Sequence, residues 1–249
     1  MYRFGVIGDD LRMKYLFGAF KKDGYSVRIG TDEGVRAVID DSDIIILPIN
    51  RHGLLAMCKN KTVLGGFTNP FVIPEGAVVY NYLENPVFTA KNALATAEGA
   101  ISVAMQSTDD ILAFKNVVVC GFGNIGKILC QKLLLLGCNV TVCARRTLSR
   151  AEAENMGAHA CSFGALGLAT PSVIFNTVPA PVLTSDILSS LNEDTIIIEL
   201  ASKPGGIDLE YAHAHGITVI DAQALPAKYS PRFAGQILKE TVISILEEG

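Results

Sequence analysis

A glycine-rich turn between a short apolar strand and a helix constrains the fold of this chain more than any other feature. Val117–Cys120 is rich in β-branched residues, as expected of a buried parallel strand. The sequence GFGNIG follows it with the spacing G-x-G-x-x-G. In this spacing the glycines permit a tight turn, leave room for a pyrophosphate, and let the helix lie close to the strand. The residues of the turn are Gly121, Phe122, Gly123, Asn124, Ile125 and Gly126.

The elements around the turn complete a strand–helix–strand unit of about 30 residues. Lys127–Leu136 has helix-forming side chains and ends at Gly137, and Val140–Ala144 is the second strand. The start of such a helix presents free N–H groups and the positive end of its dipole to a phosphate. We therefore predict a dinucleotide site. The alternative is a glycine turn that serves only the contact between helix and strand.

The residues after the second strand indicate which dinucleotide binds. A site that prefers NAD usually has Asp or Glu about 20 residues beyond the glycines, where the carboxylate accepts hydrogen bonds from the ribose. Here the sequence reads Ala144, Arg145, Arg146 and Thr147. Guanidinium and hydroxyl groups favour a 2′-phosphate instead. The expected cofactor is therefore NADP(H), with NAD possible and a solvated basic loop as the alternative interpretation.

Strands and helices alternate along the whole chain, which predicts an α/β fold of two doubly wound, Rossmann-like parallel-sheet domains. Residues 1–95 form the first domain, which we interpret as a substrate or partner domain. Residues 81–95 are expected to be irregular, and Thr96 to cap a long helix that crosses between the domains. Residues 96–231 form the dinucleotide-binding domain. The helix at 232–249 is expected either to pack on the first domain or to form an interface.

Composition excludes several classes of function. The 249 residues are 49% hydrophobic with a formal charge of −4, so no basic surface favours nucleic acid or an anionic membrane. No apolar run approaches the length of roughly 20 residues that crosses a membrane. The chain begins directly with a predicted strand, so we expect no signal peptide. The six cysteines contain no C-x-x-C pair, which favours core thiols in a reducing cytosol over disulfides or a metal site.

Turns that follow strands of the second domain are expected to line the ribose and nicotinamide, because ligands lie beyond the carboxyl ends of parallel strands. These candidate residues are Asn176, Thr177, Val178, Pro179, Ala201 and Ser202. Lys203 is predicted to pair with a substrate carboxylate, with a glycine-rich surface turn as the alternative. Arg12 and Arg232 are candidate carboxylate clamps. Glu98 is either a site acid or base, or a residue of the first helical turn.

Five stretches resemble the A subunit of dipicolinate synthase, a family of endospore-forming bacteria. They are VIGDDLR, TAEGAI with Gln106 and Thr108-Asp109 after it, GFGNIG, ELASKPGGID and LPAKYSPRFAGQIL. TAEG, ASKPGG and SPRFAGQIL are fairly specific in this order and spacing, whereas GFGNIG is shared by many dehydrogenases. The resemblance covers most of the chain, although the first domain is shorter than in the family, and Asp9, Ala95 and Ala227 depart from its pattern.

This resemblance implies an NAD(P)-dependent oxidoreductase that acts on a CH–CH group. Its substrate would be a dihydrodipicolinate-type heterocycle, a small dicarboxylate, and its product pyridine-2,6-dicarboxylate for sporulation. The resemblance also implies the flavoprotein-like B subunit of dipicolinate synthase as partner, an oligomeric assembly and a place in the mother-cell cytoplasm. The two substrate carboxylates would give Arg12, Lys203 and Arg232 a common role, and Glu98 or water would accept the proton.

Two other functions fit parts of the sequence. A non-catalytic protein that binds NADP(H) and senses it, or serves as a scaffold, is compatible with the first domain, whose glycine turn is degenerate because Gly8 is followed by two aspartates. A D-2-hydroxyacid dehydrogenase has a similar architecture. That family, however, carries a histidine before a small-residue helix near the C-terminus, where this chain has Ser230-Pro231-Arg232. The missing general acid counts against the second alternative.

Overall fold

Runs of buried aliphatic residues form two parallel sheets, one in each of two units. The structure is a computed structural model that describes residues 2–248. Unit 1 contains the described residues up to Ala95 and those from Pro226 onward, and unit 2 contains Thr96–Leu225. The predicted fold class, α/β with doubly wound parallel sheets, is confirmed. No helix of residues 2–248 is both long enough and apolar enough to cross a membrane.

Unit 1 has a sheet of parallel strands in the order β2-β1-β3-β4-β5. Along the chain its elements are β1 (Arg3–Ile7), α1 (Leu11–Lys22), β2 (Ser26–Gly30), α2 (Val35–Asp41), β3 (Ile44–Ile49), β4 (Thr62–Gly66), β5 (Val78–Asn81) and the start of α3 (Pro86–Ser107). The strand order reverses between β1 and β3, which is where sheets of this order bind their ligands. The core on one face of this sheet includes Phe4, Leu16 and Phe20.

Unit 2 has six parallel strands in the order β11-β10-β9-β6-β7-β8. Its elements after α3 are β6 (Asn116–Cys120), α4 (Asn124–Leu135), β7 (Asn139–Cys143), α5 (Thr147–Asn155), β8 (His159–Cys161), β9 (Val173–Asn176), α6 (Ser185–Leu188), β10 (Ile196–Glu199), α7 (Leu209–Ala214) and β11 (Thr218–Asp221). This is the strand order of a dinucleotide-binding fold, with its reversal between β6 and β9.

The last helices return the chain to unit 1. They are α8 (Leu225–Tyr229) and α9 (Pro231–Glu248). Gly235 of α9 lies so close to α1 that a Cβ atom there would stand 2.8 Å from the carbonyl oxygen of Arg12. Further along both helices, Lys239 pairs with Asp23 at the end of α1. The two helices therefore run parallel, with their N-termini at the same end of unit 1.

Helix α3 begins ten residues earlier than the sequence analysis placed it, at Pro86. The expectation of an irregular segment over 81–95 was therefore wrong, and Thr96 lies within the helix and does not cap it. Asn85 is the physical cause, because its side chain accepts a hydrogen bond from the N–H of Phe88 at 2.9 Å. A polar cap followed by proline at the first helical position is a favourable helix start.

Candidate functional site

The glycine turn after β6 has the geometry that its spacing predicts. Gly121 has a φ of +92°, and a Cβ atom there would lie 2.5 Å from Oγ1 of Thr177. Gly126 faces the turn from α4, where a Cβ atom would lie 2.3 Å from the carbonyl oxygen of Gly121. Any larger residue at either position would collide with its neighbour. These glycines therefore fix the approach of α4 to the turn.

Gly123 differs, because it leaves space unfilled. A Cβ atom at this position would meet no heavy atom of the described chain within 4 Å. Gly123 precedes the first residue of α4, and among residues 2–248 no side chain caps that helix. Free N–H groups beside open space suit a pyrophosphate. Of the remaining predicted residues here, Phe122 is buried, Ile125 half-buried and Asn124 exposed.

The loop after β7 is held by an arginine that the sequence analysis missed. Arg150 donates hydrogen bonds of 2.8 Å to the carbonyl oxygens of Ala144 and Arg145, and one of 3.2 Å to Oγ1 of Thr147. Arg145 and Arg146 are exposed and form no ion pair within the described part of the chain. The loop thus presents two unpaired cations. No pattern in the sequence distinguishes Arg150, which lies one turn into α5.

A buried carboxylate joins the turns that follow β9 and β10. Glu199 is 7% exposed, and Nδ2 of Asn176 donates to both of its oxygens at 2.9 and 3.0 Å. The backbone N–H groups of Ala201 and Gly206 also donate to Glu199, at 2.9 and 3.0 Å. Glu199 was not among the predicted residues. Its only signal in the sequence is a single acidic residue at the end of the apolar run IIIE.

Strand register brings these turns to one edge of the unit 2 sheet. Cys120 pairs with Asn176, and Asn176 pairs with Glu199, so β6, β9 and β10 end at the same level. Thr177 is tied to β6 through a hydrogen bond of 2.8 Å from Oγ1 to the carbonyl oxygen of Cys120. The predicted residues Val178 and Ala201 lie within this edge, whereas Pro179, Ser202 and Lys203 are exposed on its turns.

In unit 1, Arg12 is the predicted residue with the most unusual environment. Its side chain is only 9% exposed, and one Nη atom pairs with Asp10 at 3.1 Å. Its Nε atom is buried and finds no hydrogen-bond partner in residues 2–248. Since an unpaired buried donor is costly, the unused Nε–H of Arg12 is an observation that points to an anionic ligand.

Arg232 belongs to the same unit as Arg12. It occupies the first turn of α9, three residues before the Gly235 that contacts the backbone of Arg12. Its side chain is exposed. Because α1 and α9 run parallel, their N-terminal turns carry both arginines at one end of the unit. The backbone thus brings the two helix starts to the same end of unit 1, with the Arg12 side chain buried and that of Arg232 exposed.

Glu98 lies away from the carboxyl edge of the unit 2 sheet. It is in the middle of α3, so the expected place in a first helical turn was wrong. Its carboxylate pairs with Lys132 at 2.9 Å. Lys132 is eight residues along α4 from Asn124, roughly 12 Å down the axis from the glycine turn. The structure thus does not bring Glu98 together with the other candidate residues of unit 2.

Unit 1 also has a cavity of about 330 Å³ at the carboxyl ends of β1, β2 and β3. Its lining includes Asp9, Asp32, Glu33, Arg36 and Arg51. The carboxylates would repel a pyrophosphate. Asp10 also occupies the start of α1, where its side chain accepts a hydrogen bond from the N–H of Met13. In the described residues no group of three or more His, Cys, Asp or Glu side chains is arranged to hold a metal ion.

The sequence of this chain is similar to a known protein family and to a known protein. Residues 92–234 match the family described as S-adenosyl-L-homocysteine hydrolase, NAD binding domain. Over 224 residues the chain is 35% identical to the A subunit of dipicolinate synthase of Bacillus subtilis (strain 168), a match that covers 88% of this chain and 75% of that protein. The match to the NAD-binding family includes the glycine turn, Arg150, Glu199 and Arg232.

Solved structures are similar over nearly the whole chain. The A subunit of dipicolinate synthase from Bacillus halodurans has a TM-score of 0.85 and 25% identity, covering 98% of this chain and 97% of that chain. The corresponding structure from Bacillus subtilis has a TM-score of 0.81 and 24% identity, covering 99% of this chain and 96% of that chain. The second comparison shows that the fold is shared.

Proposed function

The chain belongs to the family of dipicolinate synthase A subunits, and from this premise we propose that it is an NADP(H)-dependent dehydrogenase. Its proposed reaction is the oxidation of a dihydrodipicolinate-type heterocycle to pyridine-2,6-dicarboxylate. The observation that carries the proposal is the space over Gly123, which lies beside the uncapped start of α4. The substrate class is inferred from the family, and the space over Gly123 is where the cofactor would bind.

The residues of unit 2 fit a nicotinamide dinucleotide. The backbone of Gly121, Gly123 and the first turn of α4 would hold the pyrophosphate. The turns tied together by Glu199 would hold the nicotinamide end. A bound nicotinamide ring would act as the hydride acceptor. The task of the chain is then to position the substrate carbon beside that ring and to bind the substrate's negative charge.

We propose NADP over NAD because the loop after β7 presents Arg145 and Arg146 without ion-pair partners in the described residues. Replacing both (Arg145→Ala with Arg146→Ala) should weaken NADPH binding by on the order of 100-fold, since each lost charge-assisted hydrogen bond costs about 1.5–3 kcal/mol. NADH binding should change little. Cofactor fluorescence titration measures both affinities, and Lys21→Ala with Lys22→Ala is a control that removes two exposed charges elsewhere. Equal losses for the two cofactors would refute the assignment.

The substrate carries two carboxylates, and the chain offers candidate cations for them. Arg12 has a buried Nε–H donor that meets no partner in residues 2–248, and Arg232 occupies the neighbouring helical turn. Guanidinium groups bind carboxylates through paired hydrogen bonds. Lys203, exposed on the turn after β10, stays a prediction for a further substrate contact. Two anionic groups on a small heterocycle need at least two such donors, which unit 1 supplies with Arg12 and Arg232.

We propose that water, and not Glu98, accepts the proton that the substrate loses during oxidation. The carboxylate of Glu98 is engaged by Lys132, away from the glycine turn. Because aromatisation drives the loss of the proton together with the hydride, a weak acceptor is sufficient. Retained turnover in Glu98→Gln would support this assignment.

The proposal includes the flavoprotein-like B subunit of dipicolinate synthase as partner and a place in the mother-cell cytoplasm. The decisive experiment follows NADP reduction by absorbance with enzymatically generated dihydrodipicolinate precursor, with and without this partner. We expect turnover with the partner present, and its loss in Arg12→Lys with NADPH binding intact. Lys14→Arg, at an exposed position of the same helix, is the control. Tight NADPH binding without turnover in either mixture would favour the non-catalytic sensor or scaffold.

A further inference from the structure

Two cysteines that end neighbouring strands of unit 2 face each other. β7 and β8 are paired so that Cys143 lies opposite Cys161. Their sulfur atoms are 3.0 Å apart, and both are free thiols. A disulfide bond measures about 2.05 Å. An approach of roughly 1 Å would therefore bring these sulfurs to bonding distance.

The two thiols are chemically unequal. Cys143 is fully buried, whereas Cys161 is half-buried and reachable from solvent. The hydrogen bond with Cys143 and the charge of nearby Arg150 lower the pKa of Cys161. The same hydrogen bond, with burial, raises the pKa of Cys143. Cys161 is therefore the nucleophilic thiolate, and Cys143 is the thiol placed to react second.

The cysteine pair is directly linked to the loop that presents Arg145 and Arg146. Ala144 follows Cys143 in the chain, and its N–H donates to the carbonyl oxygen of Cys161 at 3.1 Å. Arg150 holds the carbonyl oxygens of Ala144 and Arg145, and its charge acts on the Cys161 thiolate. A change in the position or charge of the two sulfurs should therefore alter the conformation of this loop.

We propose that Cys143 and Cys161 form a redox-active dithiol that hydrogen peroxide converts to a disulfide, and that this modification weakens dinucleotide binding at the adjacent loop. The effect on binding rests on the proposed function, because it requires that residues 144–147 hold the adenosine ribose. The existence of the dithiol does not depend on it. Closing the gap between the sulfurs displaces Ala144, and loss of the thiolate changes the charge that Arg150 faces.

The reaction balances in two steps. The Cys161 thiolate attacks one oxygen of the peroxide, the O–O bond breaks, and the other oxygen leaves as hydroxide and is protonated to water. Cys161 is then a sulfenic acid. The sulfur of Cys143 attacks it, the S–O bond breaks, and the departing hydroxide takes up the Cys143 proton as water. The two thiols lose two electrons and two protons in total, and the peroxide becomes two waters.

The first test detects the modification in the full chain. After treatment with hydrogen peroxide and alkylation of the remaining thiols, peptide mass spectrometry should find the Cys143–Cys161 disulfide. In Cys143→Ser, the Cys161 sulfenic acid should accumulate and be trapped by dimedone. Cys161 should react with iodoacetamide at a lower pH than Cys130, a buried thiol whose pKa burial raises to about 11. A disulfide between other cysteines, or none, would overturn the proposal.

The second test measures NADPH and NADH binding before and after oxidation. Oxidised wild-type protein should bind NADPH more weakly on the order of tenfold, within the range of typical coupling between sites. Dithiothreitol should restore the affinity, and peroxide should leave the affinity of Cys161→Ser unchanged, with Cys130→Ala behaving as wild type. Formation of the disulfide without a change in affinity would overturn the coupling. Failure of the reduced chain to bind either cofactor would contradict the proposed function, and the mass spectrum would still decide the dithiol.

Discussion

Glu199 shows how one side chain can set the geometry of a whole edge of a sheet. Its oxygens accept hydrogen bonds from Asn176, Ala201 and Gly206, which belong to two different turns. Each oxygen faces donors only, so an ionised carboxylate matches the site and a neutral amide does not. None of the hydrogen bonds that Glu199 makes within residues 2–248 reaches Arg12, Lys203 or Arg232, so it acts by holding the turns in place.

Replacing Glu199 with glutamine should therefore be damaging although the side chains have nearly the same shape. In Glu199→Gln the new NH₂ group would face a backbone N–H, and the mismatch should cost about 2 kcal/mol. We expect unit 2 to unfold at a lower urea concentration and to bind the cofactor more weakly. The amide NMR signals of residues in unit 2 report its unfolding. Glu193→Gln is the matched control, because Glu193 is exposed near the same strand. Equal stability of the two variants would contradict this role for Glu199.

At the scale of residues, the sequence predicted the site residues whose backbone conformation requires glycine. It missed the residues that act through side-chain hydrogen bonds. Gly121, Gly123 and Gly126 were recognisable because their spacing reflects a fixed turn geometry. Glu199 and Arg150 were not, since a buried carboxylate or a loop-holding arginine has meaning only once its donors or acceptors are placed. Glu98 is a different case: its place in a motif suggested chemistry, the fold pairs it with Lys132, and its catalytic role stays a prediction.

At the scale of elements, the glycines at the start of α4 have separable roles. Gly126 is enclosed by the carbonyl oxygen of Gly121, whereas Gly123 borders open space and has an ordinary extended backbone, with φ −83° and ψ −162°. The first role concerns the contact of a helix with a turn. The second concerns the room left for a ligand.

Alanine at each position should separate these roles. Gly126→Ala should lower the free energy of unfolding by about 1–3 kcal/mol, because its Cβ overlaps backbone that cannot move away. Gly123→Ala should leave stability unchanged or slightly raised, by up to about 1 kcal/mol, while its methyl group blocks the dinucleotide. Urea unfolding and NADPH titration of both variants measure the two effects. If Gly123→Ala kept full affinity, the pyrophosphate could not lie over this turn.

The prediction of elements succeeded where apolar periodicity was strong and failed where a helix began without it. The strands and α4 were predicted from short apolar runs and a glycine stop. The beginning of α3 was missed because residues 86–95 show no clean apolar stripe, and the informative feature was the pair Asn85-Pro86. That pair is a start signal only if the Asn85 side chain turns back to the N–H of Phe88, as it does here.

At the scale of the whole molecule, unit 1 is discontinuous in sequence and unit 2 is continuous. Unit 1 needs α9, whose Ile237, Leu238 and Val242 are buried in the same core as Phe4 and Phe20. Each fully buried side chain of this size contributes about 1.5–3 kcal/mol. Together they form a large share of the roughly 5–15 kcal/mol that stabilises a typical domain.

A chain that ends at Leu225 should therefore lose unit 1 and keep unit 2. We expect fast amide hydrogen exchange and tryptic cleavage in residues 2–95, while NADPH binding by unit 2 persists. A chain shortened by only the last three residues is the control, because Glu247 and Glu248 are exposed. Protection of residues 2–95 in the longer truncation would show that α9 contributes little to unit 1.

The discontinuity of unit 1 also determines the order in which the two units can fold during translation. A ribosome adds roughly 5–20 residues per second, and domains usually fold as they emerge. Here β1 to β5 leave the ribosome well before α9, which completes their core, whereas unit 2 can close before α9 is made. Nascent residues 2–95 therefore remain incompletely covered throughout translation of unit 2. We expect chaperones that bind apolar segments to engage the beginning of this chain and to release it only after α9 has emerged.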